Sequence, residues 1–299
     1  MIERLEHCTI CPRNCGARRE NDHGSGFCGM GVLPSLARAA LHFWEEPCIS
    51  GTRGSGTVFF TGCALRCVFC QNAEISNAGF SGKIYRPKEL SALFFRLVEQ
   101  GAHNINLVNP THFAPAVAEA LAYRKLPVPV VYNCGGYESV KTLRELEGLV
   151  DIYLPDFKYG KNDVAKRYSR APDYVEVALL AIAEMVRQRG GPVFDEAGML
   201  QSGVLVRHLL LPGNTQNAME ALRLLKEHFG SEILVSLMAQ YVPCGKVNDE
   251  QYSELNRRIT KRELSKVEAY LYGLGMEGFV QERSSAQKDF IPSFHLEGL

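Results

Sequence analysis

The chain has 299 residues, 46% of them apolar, with 33 basic and 33 acidic side chains, enough for one large domain or two medium ones. The balanced charge argues against nucleic acid as a partner, because phosphate binding usually leaves an excess of Lys and Arg. No apolar run is long enough to cross a bilayer, so no membrane partner is expected.

The opening MIERLEHCTICPRNC mixes charges and cysteines and lacks a signal peptide's apolar core. A cytoplasmic location is expected, where the ten cysteines should stay reduced and their clustering points to metal or redox chemistry. Residues 1–55 are rich in Cys, Gly, Arg and turn formers, as expected of a metal-stapled segment. Cys8, Cys11, Cys15 and Cys28 supply four thiolates, enough to close a tetrahedral zinc or saturate an iron–sulfur cluster. Thiolate counting does not choose between the two.

From residue 56 onward the texture alternates between strand and helix. TVFFTG reads as a buried strand. Leu90, Leu93, Phe94, Leu97 and Val98 then recur at helical spacing, with Pro87 near the start and Gly101 past the end. NINLVN precedes a helix over 114–122, and VPVVYN precedes one with Val140, Leu143 and Leu146. DIYLPDF precedes a helix containing Ala178, Ile182 and Met185, and GVLVRHLLLPG one containing Met219, Leu222 and Leu225. EILVSLMAQY is the sixth strand, with helical patterns on to Leu274. The long connection RGGPVFDEAGMLQSG is expected to be mobile or functional. Six such units predict an α/β fold, either an incomplete barrel or an open doubly wound sheet, with its chemistry at the strand C-terminal ends.

The stretch GCALRCVFCQN lies directly after the first of these strands and carries Cys63, Cys67 and Cys70. Three is an awkward number for structural zinc or for disulfides. It suits a cubane cluster, whose four irons each take one outer ligand, with one iron left open for a small molecule. The alternative is a zinc site completed by Cys48 or a histidine, or a chance grouping.

Cys-x3-Cys-x2-Cys at this position resembles the cluster motif of the radical S-adenosylmethionine (SAM) superfamily. CPRNCG, FTGCALRCVFCQN, NINLVNPTHF, DIYLPDFKY, VRHLLLPG and LMAQYVP further resemble proteins related to pyruvate formate-lyase activating enzyme. The resemblance implies a partial (β/α)6 barrel and a 4Fe-4S cluster on Cys63, Cys67 and Cys70, with SAM at the open iron. It also implies reductive cleavage of SAM to a 5′-deoxyadenosyl radical that abstracts a hydrogen atom. A glycyl radical enzyme, or another protein substrate, and an electron donor such as flavodoxin or ferredoxin are the partners it implies. Radical modification of another peptide or of a small molecule is the alternative activity. A non-enzymatic iron–sulfur or zinc module is the reading from a different class.

The resemblance also assigns Phe69, just before the third cysteine, to the adenine. The family's Gly-Gly-Glu after the second strand is replaced here by NPTH, so Asn109 and Thr111 are candidates for the SAM ammonium, or form a strand-ending turn. Asn133 and Asp156 are candidates for the ribose, and Lys158 and Arg207 for the SAM carboxylate. The alternatives are a strand end for Asn133 and a local ion pair for Asp156 and Lys158. Arg207 and His208 are adjacent in a strand, so at most one points inward. Gln240 and Tyr241 are candidate adenine or substrate contacts, and His112 sits beside NPT at the expected mouth. No catalytic side chain is assigned, because hydrogen abstraction needs no protein acid or base.

Overall fold

The computed structural model describes residues 5–77, 79–247, 250–281, 292 and 294–299. Residues 5–34 hold only isolated β-bridges, joining Leu5 to Arg19, Arg19 to Gly24 and His23 to Met30. The sheet begins with β1 (Ser35–His42), antiparallel to β2 (Ser55–Phe60). Their connection carries the short helix α1 (Pro47–Ser50). The segment expected to end at residue 55 thus contributes a strand and a helix to the main fold.

After β2 come α2 (Ala73–Ser76), the edge strand β3 (Lys83–Ile84) and α3 (Pro87–Glu99). Then follow β4 (Ile105–Val108), α4 (Ala114–Ala122), β5 (Val130–Cys134), α5 (Val140–Arg144) and β6 (Ile152–Pro155). Two helices, α6 (Asn162–Ser169) and α7 (Tyr174–Arg189), lead to the hairpin of β7 (Val193–Phe194) and β8 (Leu200–Leu209). The chain ends with α8 (Thr215–Phe229), β9 (Leu234–Met238), α9 (Lys261–Gly273) and β10 (Gly278–Val280).

The strand order is β10-β9-β8-β6-β5-β4-β2-β1-β3, and every pairing from β2 to β10 along this path is parallel. The units begun by β2, β4, β5, β6, β8 and β9 form the partial (β/α)6 barrel. Alternation sorts the side chains. Leu107, Tyr132, Tyr153, Val206, Val235 and Leu237 belong to the large core that includes the helices. Val131, Ile152, Leu154, Leu205 and Leu234 face the other way and pack with Cys48 and Ile49 of α1. The β1–β2 connection therefore plugs the barrel end opposite the strand C-termini.

Helix α3 shows the local logic. Pro87 occupies its first turn, and the Glu89 carboxylate accepts from the Arg86 N–H over 2.8 Å. Its buried face carries Leu90, Leu93, Phe94 and Leu97, each stabilising by roughly 1.5–3 kcal/mol. The connection from 189 to 203 contains a short hairpin. Val193 and Phe194 pair with β8, and Asp195 Oδ1 accepts from the N–H groups of Ala197 and Met199 at 2.9 Å each. This hairpin leads into the N-terminal end of β8, remote from the strand C-termini where the site is built.

Candidate functional site

Strand β2 runs straight into the cysteine loop through Gly62. Its φ of +75° suits glycine, and a Cβ there would overlap Met30 and lie 3.0 Å from the Cys28 carbonyl oxygen. The amino-terminal segment therefore packs directly against the loop entry. The Arg13 guanidinium completes that grip. It donates to the Ala64 carbonyl at 2.7 Å, to that of Ser169 at 2.7 Å, and to that of Arg170. On the other side, Val68 N–H donates to Tyr168 O at 2.9 Å and Lys246 N–H to Val68 O at 2.7 Å.

Cys63, Cys67 and Cys70 line one cavity. Each sulfur meets a donor. Leu65 and Arg66 N–H groups point at Cys63 Sγ from 3.3 and 3.5 Å, the Ser169 hydroxyl donates to Cys67 Sγ over 2.9 Å, and Ser76 reaches Cys70. Burial raises the Cys63 thiol and pushes that of Cys70 up to about 12, and the neighbouring cysteines add to both shifts. Lys158, facing all three, opposes that rise at Cys63 and Cys70. Three desolvated thiols with donors and a cation around them form a set whose charged state is stabilised by binding iron. Among the described residues, no three Cys, His, Asp or Glu side chains converge closely enough to hold a single metal ion.

The inner cavity is also lined by Asn109, Thr111, Asn133, Asp156, Lys158 and Arg207. It opens past Cys67 and Cys70 into a larger space of about 690 Å³ bounded by Phe69 and Gln240, within the roughly 300–1,000 Å³ typical of small-molecule sites. Of the residues the sequence offered to the cluster and SAM, all but Tyr241 border these two adjoining cavities. Phe69 is buried, edge-on to Tyr159, Tyr168 and Tyr241. Asn109 takes a left-handed φ of 61°, which Asn tolerates, and its Nδ2 donates to Gly62 O over 2.6 Å. It ties the end of β4 to the loop.

Charge organises the floor. Arg207 Nε donates to Asp156 Oδ1 (3.0 Å), Nη1 to Glu45 Oε2 (2.9 Å) and Nη2 to Asn133 Oδ1 (2.6 Å). Lys158 holds the other oxygen of Asp156. Burial works against ionising Asp156, but Lys158 and Arg207 outweigh it and hold the carboxyl below its usual range. Burial likewise opposes the charges on Lys158 and Arg207, and Asp156 raises both. Arg207 is thereby committed to protein acceptors rather than open toward a ligand. The inward reading of Arg207 and not His208 holds, since His208 Nδ1 lies 2.7 Å from Phe157 O, on the helix side.

Two expected contacts are turned away from the cavity. His112 Nε2 lies 2.7 Å from Thr61 O, behind the loop, and the Tyr241 hydroxyl donates to Leu255 O over 2.7 Å.

Three carboxyl groups escaped the sequence reading. Glu138 lines the inner cavity. Its Oε1 accepts from the Thr111 hydroxyl at 2.7 Å and its Oε2 from Tyr132 at 3.1 Å, while burial pushes it up to about 7. Its signal is GGYE directly after a strand, one strand later than the place examined for Gly-Gly-Glu. Glu45 and Glu46 arrive from the plug. Glu45 Oε1 accepts from Asn106 at 3.0 Å. Glu46 lies beside the Ser236 hydroxyl without good hydrogen-bond geometry, and burial raises its carboxyl although Arg207 opposes this.

Residues 57–238 match the radical SAM superfamily. The chain belongs to that superfamily. A protein of Methanocaldococcus jannaschii, itself uncharacterized, is 30% identical over 270 residues, covering 88% of this radical SAM chain and 73% of its own length. A radical SAM methyltransferase from Sphaerobacter thermophilus superposes with a TM-score of 0.51 at 17% identity, over 76% of this chain and 66% of its own. Streptococcus suis SuiB bound to precursor peptide SuiA also gives 0.51, at 12% identity over 74% and 47%. This chain thus spans just under two thirds of the methyltransferase and about half of SuiB, and at these identities the likeness shows the fold alone. Among the described residues, no helix is long and apolar enough to cross a membrane.

Proposed function

We propose that this radical SAM protein holds a 4Fe-4S cluster on Cys63, Cys67 and Cys70, with SAM at the remaining iron. We propose further that it removes a hydrogen atom from a polypeptide, a glycyl residue of a partner protein being the favoured target. The observation that carries the reading is the convergence of three donor-stabilised thiols and the Lys158 ammonium on one cavity at the strand C-terminal ends. When bound, the cluster and SAM supply one-electron cleavage of the sulfonium and a 5′-deoxyadenosyl radical.

The chain's own residues bind, orient and exclude water. Lys158 offers the SAM carboxylate the positive charge that Asp156 maintains against burial. Thr111 and the Glu138 carboxyl present oxygens to its ammonium group. Phe69 walls the larger space, where an adenine can lie against it. Arg207 fixes Asp156 and Asn133 in place rather than gripping the ligand itself. No proton transfer by a side chain is required.

A polypeptide target is supported by the stretches that resemble proteins related to pyruvate formate-lyase activating enzyme and by the rim of the larger space. Phe43 and Trp44 border it while remaining 48% and 58% exposed, as suits large aromatic anchors for a peptide chain. The test is electron paramagnetic resonance after anaerobic incubation of the reconstituted, reduced protein with SAM and purified glycyl radical enzymes. A glycine-centred signal on a partner supports the reading. Release of 5′-deoxyadenosine that responds to a small molecule and to no polypeptide would overturn the target, leaving the radical chemistry standing.

A further inference from the structure

Arg19 is 1% exposed, a guanidinium almost wholly removed from water. Its Nε lies 3.0 Å from Met30 O and 3.1 Å from Gly31 O, Nη2 also donates to Gly31 O, and Nη1 points at Cys8 Sγ from 3.7 Å. Among the described residues, no Asp or Glu forms an ion pair with it. Buried charges are ordinarily paired, and among the described residues two sulfurs able to carry negative charge lie beside Arg19. Cys8 is one contact, and Cys28 feels the Arg19 charge directly.

The cysteines themselves are gathered. Cys8, Cys11 and Cys28 are buried, Cys15 is exposed, and electrostatic contact links Cys11 to Cys8 and Cys28, and Cys28 to Cys8 and Cys15. The N–H groups of Arg13 and Met30, each two residues past a cysteine, lie beside Cys11 and Cys28. Leu65 stands in the same relation to Cys63 in the cluster loop, at 3.3 Å. Cys28 and Met30 join the main core, but the rest of the segment adds few buried apolar side chains, Ala17 and Val32 among them, and no regular element precedes Ser35 among the described residues. Such a segment needs a staple.

We propose that Cys8, Cys11, Cys15 and Cys28 ligate a second iron–sulfur cluster as thiolates, and that Arg19 is its built-in counter-ion. Four thiolates leave such a centre with net negative charge, which the guanidinium offsets. A single zinc on the same four thiolates is the alternative that the metal and sulfide counts below separate from a cluster. With every iron ligated, this centre has no open position for a small molecule. It lies behind the SAM site, since the Cys28 carbonyl packs at Gly62 and Arg13 holds Ala64.

The test removes the first set of ligands and counts what remains. A Cys63→Ala, Cys67→Ala, Cys70→Ala protein, reconstituted anaerobically, should hold about four irons and four sulfides per chain. Adding Cys8→Ala and Cys11→Ala should take both to background. A folded triple variant that binds no iron, or one zinc and no sulfide, would overturn the proposal. Should the triple variant not fold, iron content answers the question without it, falling by half in the Cys8→Ala, Cys11→Ala protein and staying unchanged if the proposal is wrong. Arg19→Gln should lower the reduction potential of the remaining cluster in the triple variant, and Arg19→Lys should largely retain it. Equal potentials in all three would remove Arg19 from the counter-ion role.

Discussion

Arg207 and Asp156 form the hinge of the site's charge network, with Nε of the first 3.0 Å from Oδ1 of the second and Lys158 on the opposite oxygen. The two residues stand at the C-terminal ends of β8 and β6, bridged in parallel register. One carboxylate thus serves two buried cations. Asp156→Asn should leave both undercompensated and cost about 3–5 kcal/mol, read by urea denaturation. Asp156→Asn with Lys158→Met removes one charge of each sign and should cost less than the single change. A double variant at least as damaged as the single one would show that shape, not charge balance, sets the cost.

Glu138 gives the pH signature. Its carboxyl is pushed up to about 7 by burial, against an ordinary value near 4.3 in the unfolded chain. The folded state then binds more protons than the unfolded state between those values. Stability contributed by the protonated group is present below about 4.3 and is lost as pH rises through about 7. Glu138→Gln should flatten that part of the profile and make the metal-free protein relatively more stable above pH 7, by up to about 3 kcal/mol. Parallel profiles for wild type and variant across this window would refute the assignment.

Gly62→Ala should damage the joint between the amino-terminal segment and the cluster loop. The φ of +75° and the overlap with Met30 both oppose a side chain, and a loss above about 1 kcal/mol is expected. Adding Met30→Ala relieves the side-chain overlap but not the backbone strain or the approach to Cys28 O, so recovery should be partial. Complete recovery in denaturation would mean that the backbone conformation at Gly62 is not the constraint.

Much of this fold was legible because burial on both faces leaves long β-branched runs such as VPVVYN, and Pro87 and Gly101 punctuate α3 at both ends. Strand β1 was not legible. SLARAALH is rich in Ala, Leu and Arg, which favour helix, and pairing with β2 overrides that preference. Helix α6, NDVAKRYS, is short and mostly polar, and its apolar face, with Ala165 and Tyr168, was too narrow to announce it. The residues assigned at strand ends and in the cysteine loop lie together because the strand C-termini gather them. Glu45 and Glu46 were not, because they reach the barrel from the plug at its far end, a closure that local pattern does not encode. Glu138 left only a weak mark, an acid after paired glycines.

The central claim is that Cys63, Cys67 and Cys70 hold a cluster that leaves SAM a place to bind. The most direct measurement is 5′-deoxyadenosine formed after anaerobic reconstitution with iron and sulfide, reduction and addition of SAM, compared with a Cys67→Ser variant. The account predicts formation by the wild type and none above background by the variant. A fully loaded, reduced wild-type protein that forms none, or a variant that forms as much, would contradict it.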